Sequence, residues 1–187
     1  MDLGQELFVS YRKQFAYYRT LGQRAMDQLT FDELRADDQA GSNSIAVIVK
    51  HLSGNMKSRW TEFLTTDGEK PWRDREAEFI DDFADRAALQ GAWNEGWTVV
   101  ENAIVGLQAE QLTAIVYIRN EGHTVAEAIN RQLAHYSYHI GQIVLLAKQI
   151  RGENWISLSI PRGDSARYNA EKFGREKQRK HFTDDWV

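Results

Sequence analysis

The sequence predicts an all-α protein, a four-helix bundle with one long crossover connection. Three observations lead there. Apolar residues recur at helical spacing in four long stretches. Only two prolines occur, Pro71 and Pro161, and both fall outside those stretches, so nothing breaks the helices. A single charged connector bearing Gly68 and Pro71 separates the second stretch from the third, a connection that bundles with crossover topology accommodate.

The first stretch, about residues 3–28, carries Leu7, Tyr11, Phe15, Tyr18 and Leu21. The second, about 44–64, carries Ile45, Val49, Leu52, Met56, Trp60 and Phe63. The third, about 82–107, carries Phe83, Leu89, Trp93, Trp97, Val100 and Ile104. The fourth, about 125–150, carries Ile129, Leu133, Tyr136, Ile140, Ile143 and Ala147. Its start reads as a capping box, Thr124-x-x-Glu127, in which each side chain satisfies an otherwise orphaned backbone N–H. Gly152 follows its end, where helix C-termini favour glycine. "DQLTFDEL" after the first helix resembles "VGLQAEQL" after the third, and each precedes a connector and a histidine-bearing helix. That is the pattern of duplicated helix pairs. "AIVYIRN", residues 114–120, alternates like a strand but has no obvious partner, and reads as an extended connector. Residues 1–160 thus form the bundle, and 161–187 a polar extension that wraps it or stays partly mobile.

With 187 residues, one domain with a sizeable core is expected. A net charge of −4 gives no reason to expect a nucleic-acid or anionic-membrane partner, and the basic run "KFGREKQRK" is offset by nearby acids. No stretch approaches the roughly 20 apolar residues needed to span a bilayer. The amphipathic start "MDLGQELFVSYRKQF" lacks the continuous apolar centre of a signal peptide, so a cytoplasmic protein is expected. The absence of cysteine excludes disulfides, thiolate metal sites and a cysteine nucleophile.

Chemistry concentrates in the histidines. In "HYSYH", His135 and His139 lie four residues apart, one turn above the other on one helix face. They border the apolar stripe rather than centring it, which suits a pocket wall. Alone they are a half-site, because such pairs also arise by chance on helix surfaces. His51 lies mid-helix in the second stretch, the counterpart of the fourth in the duplicated layout. If those helices face each other, three imidazoles form an open three-histidine site, the catalytic rather than the structural pattern for zinc. Asn55, one turn from His51, is placed to hydrogen-bond a bound water or substrate. Other motifs fail on spacing: Tyr136 stands where a zinc protease has its glutamate, and no histidine follows a glutamate by three positions as in di-iron bundles. His123 and His181 carry no such pattern. As acid or base, Glu95 and Glu101 on the third helix are the candidates, and Tyr17 or Tyr18 reads as aromatic packing.

One histidine mid-helix two with H-x-x-x-H in helix four resembles the DinB/YfiT-like superfamily of metal-dependent enzymes. "KHLSGNMKSRWTEFLTTDGEKPWR" and "HYSYHIGQIVLLAK" resemble a branch of it known only as a domain of unknown function. The resemblance implies a four-helix bundle with crossover topology, often a homodimer. It implies one divalent metal, zinc or nickel, held by three histidines; position by position these are His51, His135 and His139. Relatives include transferases and isomerases that use low-molecular-weight thiols.

The leading expectation is therefore a metal-dependent transferase acting on a small-molecule substrate with a small thiol. A hydrolase, in which the metal lowers the pKa of water to about 7, is the alternative. A non-catalytic stress protein stabilised by its metal is the third.

Overall fold

The computed structural model describes residues 2–37 and 41–186. Residues 38–40, part of the connector expected before the second helical stretch, lie outside the described residues. The chain is predominantly helical. Four long helices, α1 (Leu3–Met26), α3 (Ile45–Trp60), α4 (Arg86–Gly106) and α5 (Val125–Arg151), coincide with the four periodic stretches. Two short helices, α2 (Phe31–Arg35) and α6 (Ser165–Phe173), and two strands, β1 (Ile115–Ile118) and β2 (Glu121–Thr124), complete the regular structure.

Side-chain caps set the helix starts. Asp2, Ser44 and Asp85 each accept a hydrogen bond from a backbone N–H in the first turn of α1, α3 and α4. Asp85 explains why α4 begins at Arg86 rather than near 82: Asp81 caps a separate turn at Phe83 N. The Thr124–Glu127 box forms as the sequence predicts, and Gly152 adopts φ +53° after α5. The two similar segments form short capped turns of different type. "DQLTFDEL" contains α2 with a Thr30–Glu33 box, whereas "VGLQAEQL" forms the 3-10 turn Ala109–Thr113 with Gln108 and Gln111 capping each other.

α3 packs along α4 and α1 along α5, and the pairs meet where α1 touches α4 and α3 touches α5. Each long helix sends one aromatic residue to the centre: Phe15, Trp60, Trp97 and Tyr136, all at most 2% exposed. Phe15 meets the other three at ring-centroid distances of 5.8, 6.5 and 6.0 Å. Such pairs are worth about 0.5–1.5 kcal/mol beyond their burial. This cluster fixes the rotation of α3 and α5 about their axes, and with it the direction of their histidines.

Two connections differ from the sequence reading. α3 stops at Trp60, four residues before the predicted end at 64, and Glu62 turns the chain at φ +48°. The segment 114–120 is no lone connector, because β1 pairs antiparallel with β2, Ile118 opposite Glu121 and Ile115 opposite Thr124. Its partner escaped notice because the two-residue turn, Arg119-Asn120, carries no glycine although both residues have positive φ, +56° and +61°. Asp67 of the crossover holds that turn: its carboxylate oxygens accept from Arg119 N and Asn120 N, both at 2.8 Å. Gly68 N adds a bond to Tyr117 O at 2.8 Å. The charged crossover is thus tied to the hairpin at one end and folds over α3 at the other, through the 3-10 turn Ala77–Phe79.

After α6, the turn Phe182–Asp185 docks on α1, where Thr183 is buried, Lys13 pairs with Asp184 at 2.6 Å and His181 Nε2 meets Ser10 Oγ at 3.2 Å. Among the described residues no helix is long and apolar enough to cross a membrane.

Two glycine substitutions test the packing. A Cβ at Gly22 would meet Trp93 Cη2 at 2.7 Å and Ile140 Cδ1 at 2.8 Å, whereas Gly141 has nothing within 4 Å. Gly141→Ala should raise stability by about 0.5–1 kcal/mol through helix propensity. Gly22→Ala should reverse that sign and cost about 1–3 kcal/mol by overpacking. Urea denaturation midpoints of the two variants check the contrast.

Candidate metal centre

α3 and α5 bring three histidines to one point. His51 comes from α3, His135 and His139 from adjacent turns of α5. His51 Nε2 lies 3.4 Å from His135 Nε2, and His139 Nε2 lies 3.1 Å from the same atom. One ring nitrogen from each falls within 4.8 Å of the other two. Glu78, from the crossover, faces His51 Nδ1 through Oε2 at 2.9 Å, and Gln142 Oε1 faces His139 Nδ1 at 2.7 Å. Both partners are acceptors, so the proton belongs on Nδ1 and each Nε2 presents a lone pair.

Burial favours the neutral form of the two α5 histidines. Burial, then the neighbouring His139 and His51, push His135 down to about 3. Burial also lowers His139, against the opposing effect of its bond to Gln142. Burial works against the Glu78 carboxylate, but hydrogen bonds from His51 and Arg73 and the Arg73 charge outweigh it and hold its pKa below the usual range. Arg73 grips Glu78 with two bonds, Nε to Oε1 at 2.7 Å and Nη2 to Oε2 at 2.9 Å.

This donor set fits a divalent ion. The Nε2 lone pairs of His51 and His139 both face His135 Nε2, and a cation among the three rings would satisfy them together. Tetrahedral zinc with bonds of about 2.0–2.1 Å sets its nitrogen ligands about 3.3 Å apart, and the spacings of 3.1 and 3.4 Å bracket that value. A carboxylate on the far nitrogen of a ligating histidine is the usual support that fixes tautomer and ring orientation.

The three rings line a cavity of about 420 Å³ together with Asn55, Phe79, Gln132, Tyr138 and five arginines. Asn55 lies in its wall. Its Oδ1 is occupied, because Trp60 Nε1 donates to the Tyr136 hydroxyl at 2.9 Å and that hydroxyl donates to Asn55 Oδ1 at 3.2 Å. Tyr136 is fully buried, so it is core rather than a misplaced catalytic group. The acid/base candidates on the third helix do not reach the site: Glu101 pairs with Arg19 at 2.6 Å and Glu95 with Lys57 at 3.6 Å. Tyr17 packs edge-to-face against Tyr18 and Phe182. The residues that sequence reasoning missed are Glu78 and Arg73. One signal was present: Gly54, one turn from His51, where a Cβ would overlap the Glu78 carboxylate.

A family model described as "Protein of unknown function (DUF1572)" matches residues 2–164. The chain belongs to this family. No curated protein matches the chain. The DUF1572 match contains all four long helices, the crossover, the hairpin and the three histidines, and stops one residue before α6.

The depressed histidines set a pH dependence. An unfolded His135 takes up its proton near its ordinary value of 6.5, the folded one only near about 3. Between those values the unfolded chain binds more protons, so the metal-free protein should lose stability as pH falls from 6.5 towards 3. Urea midpoints at pH 7 and pH 5 should differ less in His135→Gln than in the parent.

Proposed function

We propose that the chain is a metal-dependent enzyme of the DinB/YfiT-like superfamily, built as a four-helix bundle with crossover topology. One divalent ion, zinc or nickel, is held by His51, His135 and His139. The observation that carries this reading is the convergence of one ring nitrogen from each histidine within 4.8 Å, His135 Nε2 lying 3.4 and 3.1 Å from the other two, with acceptors behind two of the rings. The helix origin of the ligands, one from α3 and two from α5, supports the superfamily assignment.

The leading reaction is transfer involving a low-molecular-weight thiol and a small-molecule substrate. A divalent ion here supplies Lewis acidity, lowering the pKa of a thiol or water that binds it. The chain's own part is to leave room and to orient. Three protein ligands keep a position open for a small molecule, and Glu78 and Gln142 fix two of the rings. No cysteine is available, so a sulfur nucleophile comes from outside the chain. The balance against a hydrolase lies in the cavity lining, which among the described residues includes no aspartate or glutamate. Glu78, the nearest acid, is committed to His51 and Arg73.

Metal analysis of untagged protein tests the reading. Wild-type protein should carry about one equivalent of zinc or nickel, and His51→Ala and His139→Ala should carry far less. Wild-type protein without stoichiometric metal would refute it. The absorption bands of cobalt-loaded protein should shift when a small thiol is added; no shift with any thiol would favour the hydrolase.

Supporting residues make a second test. Glu78→Gln weakens the acceptor behind His51, and Gly54→Ala displaces the same carboxylate. Each should lower metal affinity about 10- to 100-fold, as loss of a supporting partner does elsewhere. Competition titration against a chromophoric chelator measures this, with urea midpoints reporting any loss of fold.

A further inference from the structure

The cavity above the histidines has a second chemistry. Its lining includes Arg59, Arg73, Arg75, Arg119 and Arg131, in a chain whose net charge is −4. Two of the five are structural. Arg73 is consumed by Glu78 and Glu69, and Arg59 by Gly68 O and Glu69; their side chains are 2% and 6% exposed.

The other three keep donors to spare. Arg75 is half-exposed, lies over the Phe79 ring, and among the described residues has only its exposed neighbour Glu76 as a counter-charge, at 3.3 Å. Arg119 shares Glu69 with Arg59 and Arg73, so one carboxylate serves three guanidiniums. Arg131 is exposed and has no carboxylate partner among the described residues; its Nη1 contacts His123 Nε2 at 3.3 Å. These three come from the crossover, the hairpin turn and α5, and the fold brings them to one cavity.

Arg119 is also placed at a cost. It occupies the first position of a turn in which both residues have positive φ, a place that glycine, asparagine or aspartate takes more readily. Asp67 holds the turn through the backbone N–H groups of Arg119 and Asn120, so the Arg119 side chain, paired with Glu69 at 3.1 Å, is placed in the cavity lining. A residue kept against its backbone preference beside a site is a reason to look for a role in that site. Guanidinium groups offer paired N–H donors that match carboxylate and phosphate oxygens.

We infer that Arg75, Arg119 and Arg131 form an anion-recognition rim over the three-histidine floor, and that the substrate is a small organic anion bearing a carboxylate or phosphate group. This rests on the reading of the cavity as a substrate site. Recognition by the rim is separable from metal binding by the floor.

Calorimetric titration of metal-loaded protein with phenyl phosphate, benzoate and the neutral benzamide tests it. At least one anion should bind about tenfold or more tightly than benzamide, and which one does so identifies the oxyanion. Arg119→Asn, which suits the turn better than arginine, should keep or raise thermal stability yet weaken anion binding about five- to tenfold. Arg131→Met should do the same to binding, with metal content unchanged in both. Equal binding of benzamide and the anions, no anion binding at millimolar concentration, or unchanged anion affinity in both variants would overturn the inference. The metal reading is judged separately in the same samples. If wild-type protein holds no stoichiometric metal but still prefers the anions, and loses that preference in the variants, the rim stands and the metal centre falls. If anion binding needs the ion and ignores the arginines, the reverse holds.

Discussion

The buried carboxylate of Glu78 is the interaction on which the site depends. It accepts from His51 on one side and from Arg73 on the other, and the side chains of all three are nearly inaccessible. A buried ion pair adds little net stability, but breaking one by removing a single partner costs about 3–5 kcal/mol. The crossover is therefore held down on α3, and His51 is held in one tautomer, by the same group. Glu69 extends the arrangement outward, joining Arg59 of α3, Arg73 of the crossover and Arg119 of the hairpin. Arg73 bridges Glu69 and Glu78, so the crossover and the hairpin turn are tied to α3 through one set of charge pairs.

A second constraint comes from below. Phe15, Trp60, Trp97 and Tyr136 join four helices in one aromatic cluster, and the hydrogen-bond chain Trp60–Tyr136–Asn55 carries that order to the cavity wall. In "HYSYH", residues 135 and 139 face the cavity while residue 136, turned about 100° away, enters the core. The tyrosine in the place of a zinc protease's glutamate is thus the anchor of the helix that bears two of the histidines. No cysteine occurs in the chain, and among the described residues no acid lines the cavity, whose wall holds the three histidines and five arginines.

Helical period, capping residues and the three histidines were all legible in the sequence, because each depends on neighbours within a turn or two. The 3.6-residue spacing gave the four helices, Thr124 and Glu127 marked the start of α5, and the i, i+4 pair of His135 and His139 must share a face on any helix. Their union with His51 needed the pairing of α3 with α5, for which the sequence offered only the likeness of two helix pairs. The Arg119-Asn120 turn hid the hairpin because its stability comes from Asp67, some fifty residues earlier, rather than from a turn glycine.

What only the tertiary structure decided is the role of the charged crossover. Read along the chain, "TTDGEKPWRDREAEF" is a polar run of the kind that stays in water. Folded, it supplies Asp67 to the hairpin, Glu78 to His51, and Arg73 and Arg75 to the cavity. No periodicity announces this, because a charged side chain is buried only when partners distant in sequence neutralise it. The sequence by itself determined which residues could bind an ion; long-range charge pairing decided how they are held and what surrounds them.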